Sequence, residues 1–308
     1  MNDQTGGFIM LGHRNLSSRR RAGFTLVEAL VVTAIMAILF GLATGAVVRA
    51  LHSAEDAKVG IEIRQLEAAV AAAKKHFGVE QLPSAMRLRK NNFYNLNDPL
   101  EKRTKDYLSQ MFPRMPFATT NDGTMRVDWN ATGATGANQD LNLGPAETLV
   151  FFLGGRNGTE GWSPNPLNPM TGAGTRVAPF YEFNPDRMSI GQSNFRVYRD
   201  PYNPGRPYLY FTSYRSGNDY SPLDVYTGSP EGVVSAFREP GPTGRFINPN
   251  SFQIVCAGRD GLFGNFPINA ANPFILWRNG SFTTFPTNAS AANDNLANFH
   301  PTKLSIPQ

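Results

Sequence analysis

One cysteine, Cys256, stands in the 308 residues, so no disulfide can form within the chain. It sits in the apolar run Phe252-Gln253-Ile254-Val255-Cys256 and reads as a small core residue rather than a reactive thiol. Histidine is nearly as scarce. His13, His52, His76 and His300 have no ligand spacing to one another, to the cysteine or to a carboxylate cluster, which removes the usual zinc patterns. There is no Gly-x-Ser-x-Gly elbow and no phosphate loop. Gly154-Gly155-Arg156-Asn157-Gly158 lacks the Lys and Ser/Thr that a phosphate loop needs. Asp186 and Asp200 each neighbour a proline and read as turn residues rather than an acid–base pair. The chain therefore reads as a non-enzyme. Charge is sparse too, at 17% of residues. Residues 1–23 carry four arginines and one aspartate, so they hold +3 of the formal net charge of +5 and leave +2 on the rest. That is too little for a nucleic-acid-binding surface, and no nucleic acid partner is expected.

What the chain does have is a long apolar run with a basic approach. Arg19-Arg20-Arg21-Ala22-Gly23-Phe24-Thr25-Leu26-Val27-Glu28 leads into an almost unbroken hydrophobic stretch to Val48, in which Glu28 is the one charged side chain. As a helix at ~1.5 Å per residue, residues 24–48 reach about 37 Å, enough for the ~30 Å hydrocarbon core of a bilayer. Arg14, Arg19, Arg20 and Arg21 all precede the run, so the positive-inside bias keeps the leader in the cytoplasm and places everything after Val48 across the membrane. A secretory signal peptide has a shorter apolar region, and a plain signal anchor gives no reason for Glu28. A carboxylate in lipid is costly unless it is paired or reaches the interface.

Beyond the apolar run the pattern becomes amphipathic. Val59, Ile63, Leu66, Val70, Ala73 and Phe77 recur at alternating spacings of four and three, the stripe of one helix face. Glu62, Arg64, Glu67, Lys74 and Lys75 lie between them and read as the solvated side. Gly78 reads as a C-cap and Pro83 closes the segment. One helix is therefore expected over about residues 24–77.

After Pro83 the composition shifts to Gly, Pro, Asn, Phe and Tyr. A short helix is expected near residues 99–110 and a buried helical element within 144–155. Residues 121–142 read as a flexible small-residue loop, and 158–174 as a second loop. Strand candidates are 179–183, 195–198, 208–213, 233–236 and 252–257. A hairpin is expected from 274–277 to 281–285, turning through Arg278-Asn279-Gly280. The expected fold class is α+β: a long N-terminal helix packed on a small antiparallel sheet with long loops.

Gly23-Phe24-Thr25-Leu26-Val27-Glu28 resembles the class III signal of type IV pilins and of the pseudopilins of type II secretion. The resemblance implies cleavage after Gly23 by a prepilin peptidase, N-methylation of Phe24 and a role for Glu28 in assembly, its carboxylate meeting the N-terminal ammonium of a neighbouring subunit. Two unpaired charges in low dielectric are each costly, and pairing relieves both. It also implies a division into leader 1–23, transmembrane helix half 24–48, amphipathic periplasmic half 49–78 and head 79–308.

Residues 199–299 carry a second resemblance, closest to the major pseudopilin. Arg199-Asp200-Pro201-Tyr202-Asn203-Pro204-Gly205-Arg206-Pro207-Tyr208-Leu209-Tyr210 is similar to its Asp-Pro-Trp-Gly-Asn-Pro-Tyr-x-Tyr segment, with an insertion and Tyr202 in place of the tryptophan. Ile254-Val255-Cys256-Ala257-Gly258-Arg259-Asp260-Gly261 is similar to the following strand and Gly-x-Asp-Gly turn, and Asn293-Asp294-Asn295-Leu296-Ala297-Asn298-Phe299 to the closing Asp-Asp-Ile-x-Asn-Trp. The resemblance implies a Ca²⁺ ion on Asp260 and Asp294, with Asn293 or Asn295 as further ligands and backbone oxygens completing the shell. Here Asn293 stands where a second aspartate is common, and the separation of Asp260 from Asp294 is long. Residues 84–198 match nothing in that family and enlarge the head.

The implied function is a structural subunit of a type II secretion-type pseudopilus, held in the bacterial inner membrane with its N-terminus cytoplasmic and its head periplasmic. Its implied partners are the prepilin peptidase/methylase, further copies of itself in a helical filament, other pseudopilins and the inner-membrane assembly platform. A type IV pilin for adhesion, motility or DNA uptake is an alternative. So is a membrane-anchored binding protein that does not polymerise.

Overall fold

The computed structural model describes residues 23–123, 126–129, 139–172, 174–215, 217–230, 232–238, 245–263, 277–278, 281–282 and 295–300. In chain order its elements are α1 (Leu26–Phe77), β1 (Met86–Leu88), α2 (Pro99–Met111), β2 (Leu141–Leu143), α3 (Glu147–Gly154), β3 (Met188–Ile190), β4 (Arg196–Tyr198), β5 (Leu209–Thr212), β6 (Tyr226–Ser229), β7 (Gly232–Val234), β8 (Phe252–Cys256), β9 (Trp277–Arg278), β10 (Ser281–Phe282) and β11 (Leu296–Ala297). The chain divides into two compact units, Met1–Ser53 and Ala54–Gln308. The fold is α+β: a long N-terminal helix packed against small antiparallel sheets with long loops between them.

Helix α1 ends where the sequence places its stop. Gly78 takes φ +66°, and the Val79 N–H reaches back to the Lys74 carbonyl at 3.1 Å, the 6→1 bond of a Schellman cap. Helix α2 starts on Asp98, whose Oδ1 accepts from the Leu100 and Glu101 N–H groups, with Pro99 in the first helical turn. Helix α3 is apolar all round apart from its first turn, and all eight of its residues are buried, so it forms the centre of the second unit.

Among the described residues the one sheet of more than two strands has the order β11-β8-β5 and is antiparallel throughout. Strand alternation sends successive side chains to opposite faces, and both faces are covered. Tyr210, Ile254, Cys256 and Leu296 join the larger apolar cluster, which contains the α1 stripe and α3. Leu209, Phe211, Val255 and Ala297 join a second cluster with Val234, Phe237 and Phe263. Among the described residues four two-stranded pairs also form: β1 with β2, β3 with β4, β6 with β7 and β9 with β10.

Three of the expected strands form at nearly their expected bounds, as β4, β5 and β8. Of the hairpin expected from 274–277 to 281–285, Trp277–Arg278 and Ser281–Phe282 pair antiparallel as β9 and β10, and the rest lies outside the described residues. Residues 179–183 do not form a strand. Phe180 and Tyr181 donate their N–H groups to the Leu153 carbonyl, capping the end of α3 instead of pairing edge to edge. The expected loop over 121–142 includes residues 124–125 and 130–138, which lie outside the described residues, but its end pairs as β2 with β1.

A tight crossing follows α3. Gly155 and Gly161 both have φ near +70° and bridge to each other, and a Cβ on Gly161 would lie 1.9 Å from the Val177 carbonyl oxygen. Alanine at 161 meets both a disfavoured backbone conformation and a backbone clash. Gly161→Ala is expected to destabilise the head by about 2–5 kcal/mol. The check is its melting temperature against wild type.

Candidate functional site: the N-terminal helix and its anchorage

Gly23 and Phe24 are exposed, Phe24 by 80%. Every described residue from 23 to 54 is exposed, including Leu30, Ile35, Leu39, Phe40 and Leu42. An apolar surface this long has no place in water. Helix α1 is long and apolar enough, by length and composition, to cross a membrane, consistent with a single spanning segment.

Glu28 starts the helix as well as charging it. Its Oε2 accepts from the Thr25 N–H at 2.9 Å and the Thr25 hydroxyl at 2.8 Å, while Thr25 Oγ1 accepts from the Glu28 N–H at 3.2 Å. This is a reciprocal capping box. The Thr-x-x-Glu spacing was visible in the sequence as a helix-start signal in addition to the resemblance. Glu28 is in the first turn, where a negative charge also complements the helix dipole.

The second half of α1 is held in the Ala54–Gln308 unit by its apolar stripe and by three carboxylates beside it. Val59, Ile63, Leu66, Val70, Ala73 and Phe77 are all buried, as expected. Glu62 is not on the solvated side. Its Oε1 accepts from Arg187 Nη1 at 2.7 Å, the Tyr198 hydroxyl at 2.7 Å and the Tyr181 hydroxyl at 3.3 Å. Its Oε2 accepts from Arg187 Nη2 at 3.0 Å and the Tyr208 hydroxyl at 2.5 Å. Burial pushes the Glu62 pKa up, but Arg187 and the Tyr208 and Tyr198 hydroxyls outweigh it and hold the carboxyl below its ordinary value. The same cluster pushes Tyr181 up to about 12, chiefly through burial and then the Glu62 charge. Glu67 accepts from the Asn298 amide at 2.9 Å. Asp56 accepts from the Tyr202 hydroxyl at 2.5 Å and from Arg259 at 3.1 Å, and Arg259 also pairs with Glu55 at 2.7 Å.

Helix geometry separates these carboxylates from the solvated charges. At about 100° per residue, Glu62 falls about 60° from the centre of the stripe and Asp56 and Glu67 about 60–80°, whereas Arg64 and Lys75 fall about 140–160° away. The flanking positions face partners on the head; the far ones face water. Arg64 and Lys75 are exposed, as read.

Of the proposed calcium ligands, Asp260 is exposed in the turn after β8, its Oδ1 accepting from the Leu262 N–H at 2.8 Å. Asn295 is fully buried. Its amide donates to the Phe263 carbonyl at 3.2 Å, and its Oδ1 has no partner. Asn293 and Asp294 lie outside the described residues. Among the described residues no group of three or more His, Cys, Asp or Glu side chains could hold a metal ion. Asp200 is a buried turn residue that accepts from the Tyr202 N–H at 2.7 Å, the Gly258 N–H at 3.1 Å and the Cys256 thiol at 2.9 Å. Burial and that carboxylate push the Cys256 thiol well above its ordinary pKa, which keeps it an unreactive core residue.

Residues 18–44 match the family described as the prokaryotic N-terminal methylation motif. The match spans the basic approach, Gly23, Phe24, Glu28 and most of the apolar run. The chain carries a prokaryotic N-terminal methylation motif at the head of an apolar helix, consistent with pilin-like membrane proteins in general, and the motif implies processing by a prepilin peptidase/methylase. No curated protein and no solved structure matches the chain.

Glu62→Gln leaves Arg187 buried opposite a neutral group. Breaking such a pair costs about 3–5 kcal/mol when it is fully buried, and Glu62 and Arg187 retain 14% and 22% side-chain exposure. A loss of about 3 kcal/mol is expected, read by urea denaturation through the fluorescence of Trp129 and Trp162. Because the folded pKa is depressed, the stabilisation is complete above pH 4.5, the ordinary value, and is lost as pH falls through the lower folded value. The variant should lose less stability than wild type across that acid range.

Proposed function

We propose that the chain is a pseudopilin-like structural subunit of a type II secretion-type pseudopilus. The observation that carries this reading is the apolar first half of α1, exposed over residues 26–48, which lies within and after a prepilin methylation motif and bears one carboxylate, Glu28, in its first turn. A helix of that kind serves first as a membrane span and then as a packing strip between subunits.

In the proposed fibre, cleavage after Gly23 creates a new ammonium on Phe24, which the peptidase then methylates. Glu28 of one subunit meets that ammonium on its neighbour, and the pairing sets the stagger. The Glu28 carboxylate has the capacity for both tasks, since Oε2 closes the capping box and a carboxylate offers about four lone-pair sites. The inner-membrane assembly platform adds subunits, and growth of the fibre pushes cargo outward. The role is structural and needs no catalytic group. A secretion fibre is favoured over a surface pilus because surface pilins often staple the C-terminal region with a disulfide, which a lone cysteine cannot supply. Here β11 pairs with β8 and Asn298 bridges to Glu67, which ties residues 295–300 down without one.

The first test is the mass of the N-terminal peptide of the protein isolated from its own membranes. N-methylated Phe24 as the first residue is expected; an intact leader or a cut beyond the apolar run would overturn the reading. Glu28→Gln then separates charge from capping, because glutamine also completes a capping box. The variant is expected to insert and be processed but to abolish fibres and secretion. Fibres at wild-type level would leave a charge-independent assembly, and no fibres from the wild type would leave a membrane-anchored binding protein.

We further propose that Asp260, Asp294 and Asn295, with Asn293 adjacent, hold a Ca²⁺ ion between the turn after β8 and the C-terminal segment. The partnerless buried Oδ1 of Asn295 suits a hard cation that takes oxygen ligands. Calorimetry should register Ca²⁺ binding that Asp260→Ala removes, and chelation should lower the melting temperature. No heat and no shift would sink the ion.

A further inference from the structure

A cleft of about 380 Å³ opens between the β3–β4 hairpin, the 204–207 loop and β6. At its floor is Glu147, the first residue of α3, which is only 4% exposed. Its Oε2 accepts from the Gly144 N–H at 3.2 Å, and among the described residues no cation pairs with it. Buried carboxylates are almost always matched by a cation or by several donors, and this one has a single weak partner. The hairpin is shaped around it. A Cβ on Gly191 would lie 2.6 Å from both Glu147 Oε1 and Val197 Cγ1, so a larger residue in the turn would push on both.

A second unmatched group lines the same cleft. Val197 and Arg199, two residues apart, line it together. The half-buried Arg199 guanidinium has no ion-pair or hydrogen-bond partner among the described residues. Glu147 and Arg199 do not pair with each other, although pairing would relieve both. The hydroxyls of Tyr226 and Ser189 add two polar groups to the lining, and Ile190 and Val197 supply apolar wall. A cleft of this size, part apolar and part lined by convergent polar groups, has the form of a small-molecule site.

We propose that this cleft binds a small zwitterion of the α-amino acid class, its ammonium on the Glu147 carboxylate and its carboxylate on the Arg199 guanidinium. Arg206 also lines the cleft, bonded to the Gly261 and Gly228 carbonyls. A simple cation would be opposed by both guanidiniums and a simple anion would leave Glu147 unmatched, whereas a ligand carrying both charges matches Glu147 and Arg199 together. The volume lies at the small end of the range for ligand pockets, which suits one amino acid and excludes a folded partner. The site does not depend on how the chain assembles.

The test uses the full chain in lipid nanodiscs and the twenty free α-amino acids, each as a probe in a thermal-shift series, followed by calorimetry on whichever raises the melting temperature most. A rise of several degrees is expected at about a hundredfold excess over Kd. The N-acetyl and the amide derivatives of that amino acid, each lacking one charge, should bind at least about tenfold more weakly. Glu147→Gln and Arg199→Gln should each weaken binding by about tenfold to a hundredfold. Arg199→Gln removes no ion pair or side-chain hydrogen bond among the described residues and so carries the test even if Glu147→Gln fails to fold. No shift with any amino acid, or undiminished binding in folded Arg199→Gln, overturns the proposal.

Discussion

The carboxylate of Glu62 is the point on which the head depends. Apolar burial along Val59, Ile63, Leu66 and Val70 attracts α1 to the sheet, but hydrophobic attraction is non-directional and would tolerate some sliding or rotation. Glu62 does not tolerate either. Its two oxygens meet a two-pronged guanidinium and three hydroxyls from three separate chain segments, with the Arg187 guanidinium 4.3 Å above the Tyr198 ring. A turn of one residue would swing the carboxylate about 100° away from all of them. Asp56 and Glu67 repeat the arrangement on the other flank of the stripe. Apolar contact supplies the attraction, and three carboxylates supply the register.

That division of labour suits a helix with two kinds of neighbour. The part of α1 in the first unit is exposed along its whole apolar length and is fitted for lipid or for copies of itself. The part in the second unit is locked by charge. In the proposed fibre, load entering at the apolar end travels along one uninterrupted hydrogen-bonded helix and is resisted where the charges hold it. Directional bonds resist sliding along the helix axis better than interdigitated aliphatic side chains do.

The legible parts of the fold were those with long or strong local signals. A repeat of four and three over nineteen residues, closed by Gly78, specifies α1, and Asp98-Pro99 specifies the start of α2. Continuous apolar runs bounded by turn residues specify β5 and β8. What could not be read were three-residue strands whose partners lie far away in sequence. β1 pairs with β2 across the whole of α2, and nothing in Met86-Arg87-Leu88 alone announces it. Residues 179–183 misled for the opposite reason, since their aromatic composition favours a strand while the Leu153 carbonyl at the end of α3 takes their N–H groups. At the site, motif and periodicity found Gly23, Phe24, Glu28 and the stripe. Glu62 and Glu67 were missed as anchors because a charge between apolar positions was read as facing water, and Asp56 lies before the stripe begins. For the first two, the angle from the stripe carried the missing information.

The lone cysteine acquires meaning from what replaces the crosslink it cannot make. Asp200 gathers backbone N–H groups from Tyr202 and Gly258 with the Cys256 thiol, joining the loop after β4 to the end of β8. Arg206 reaches the Gly261 carbonyl at 2.7 Å, and Leu296 pairs with Cys256 in the sheet. Each such hydrogen bond contributes only about 1 kcal/mol net, so several are needed to rival the 2–5 kcal/mol typical of a native disulfide in a small secreted domain. The substitution changes which variable governs stability. A disulfide answers to redox potential. This head answers to pH, because Glu62, Glu101 and Asp219 all have pKa values held below their ordinary range by partners that outweigh burial. Each contributes stability that is present at neutral pH and lost on acidification. Asp200, whose pKa is raised by burial, works the other way, since the folded state holds its proton more tightly and gains as pH falls. Among the described residues of the head these three and Asp98 are depressed against one raised acid, which favours a head that is indifferent to reductant and sensitive to acid.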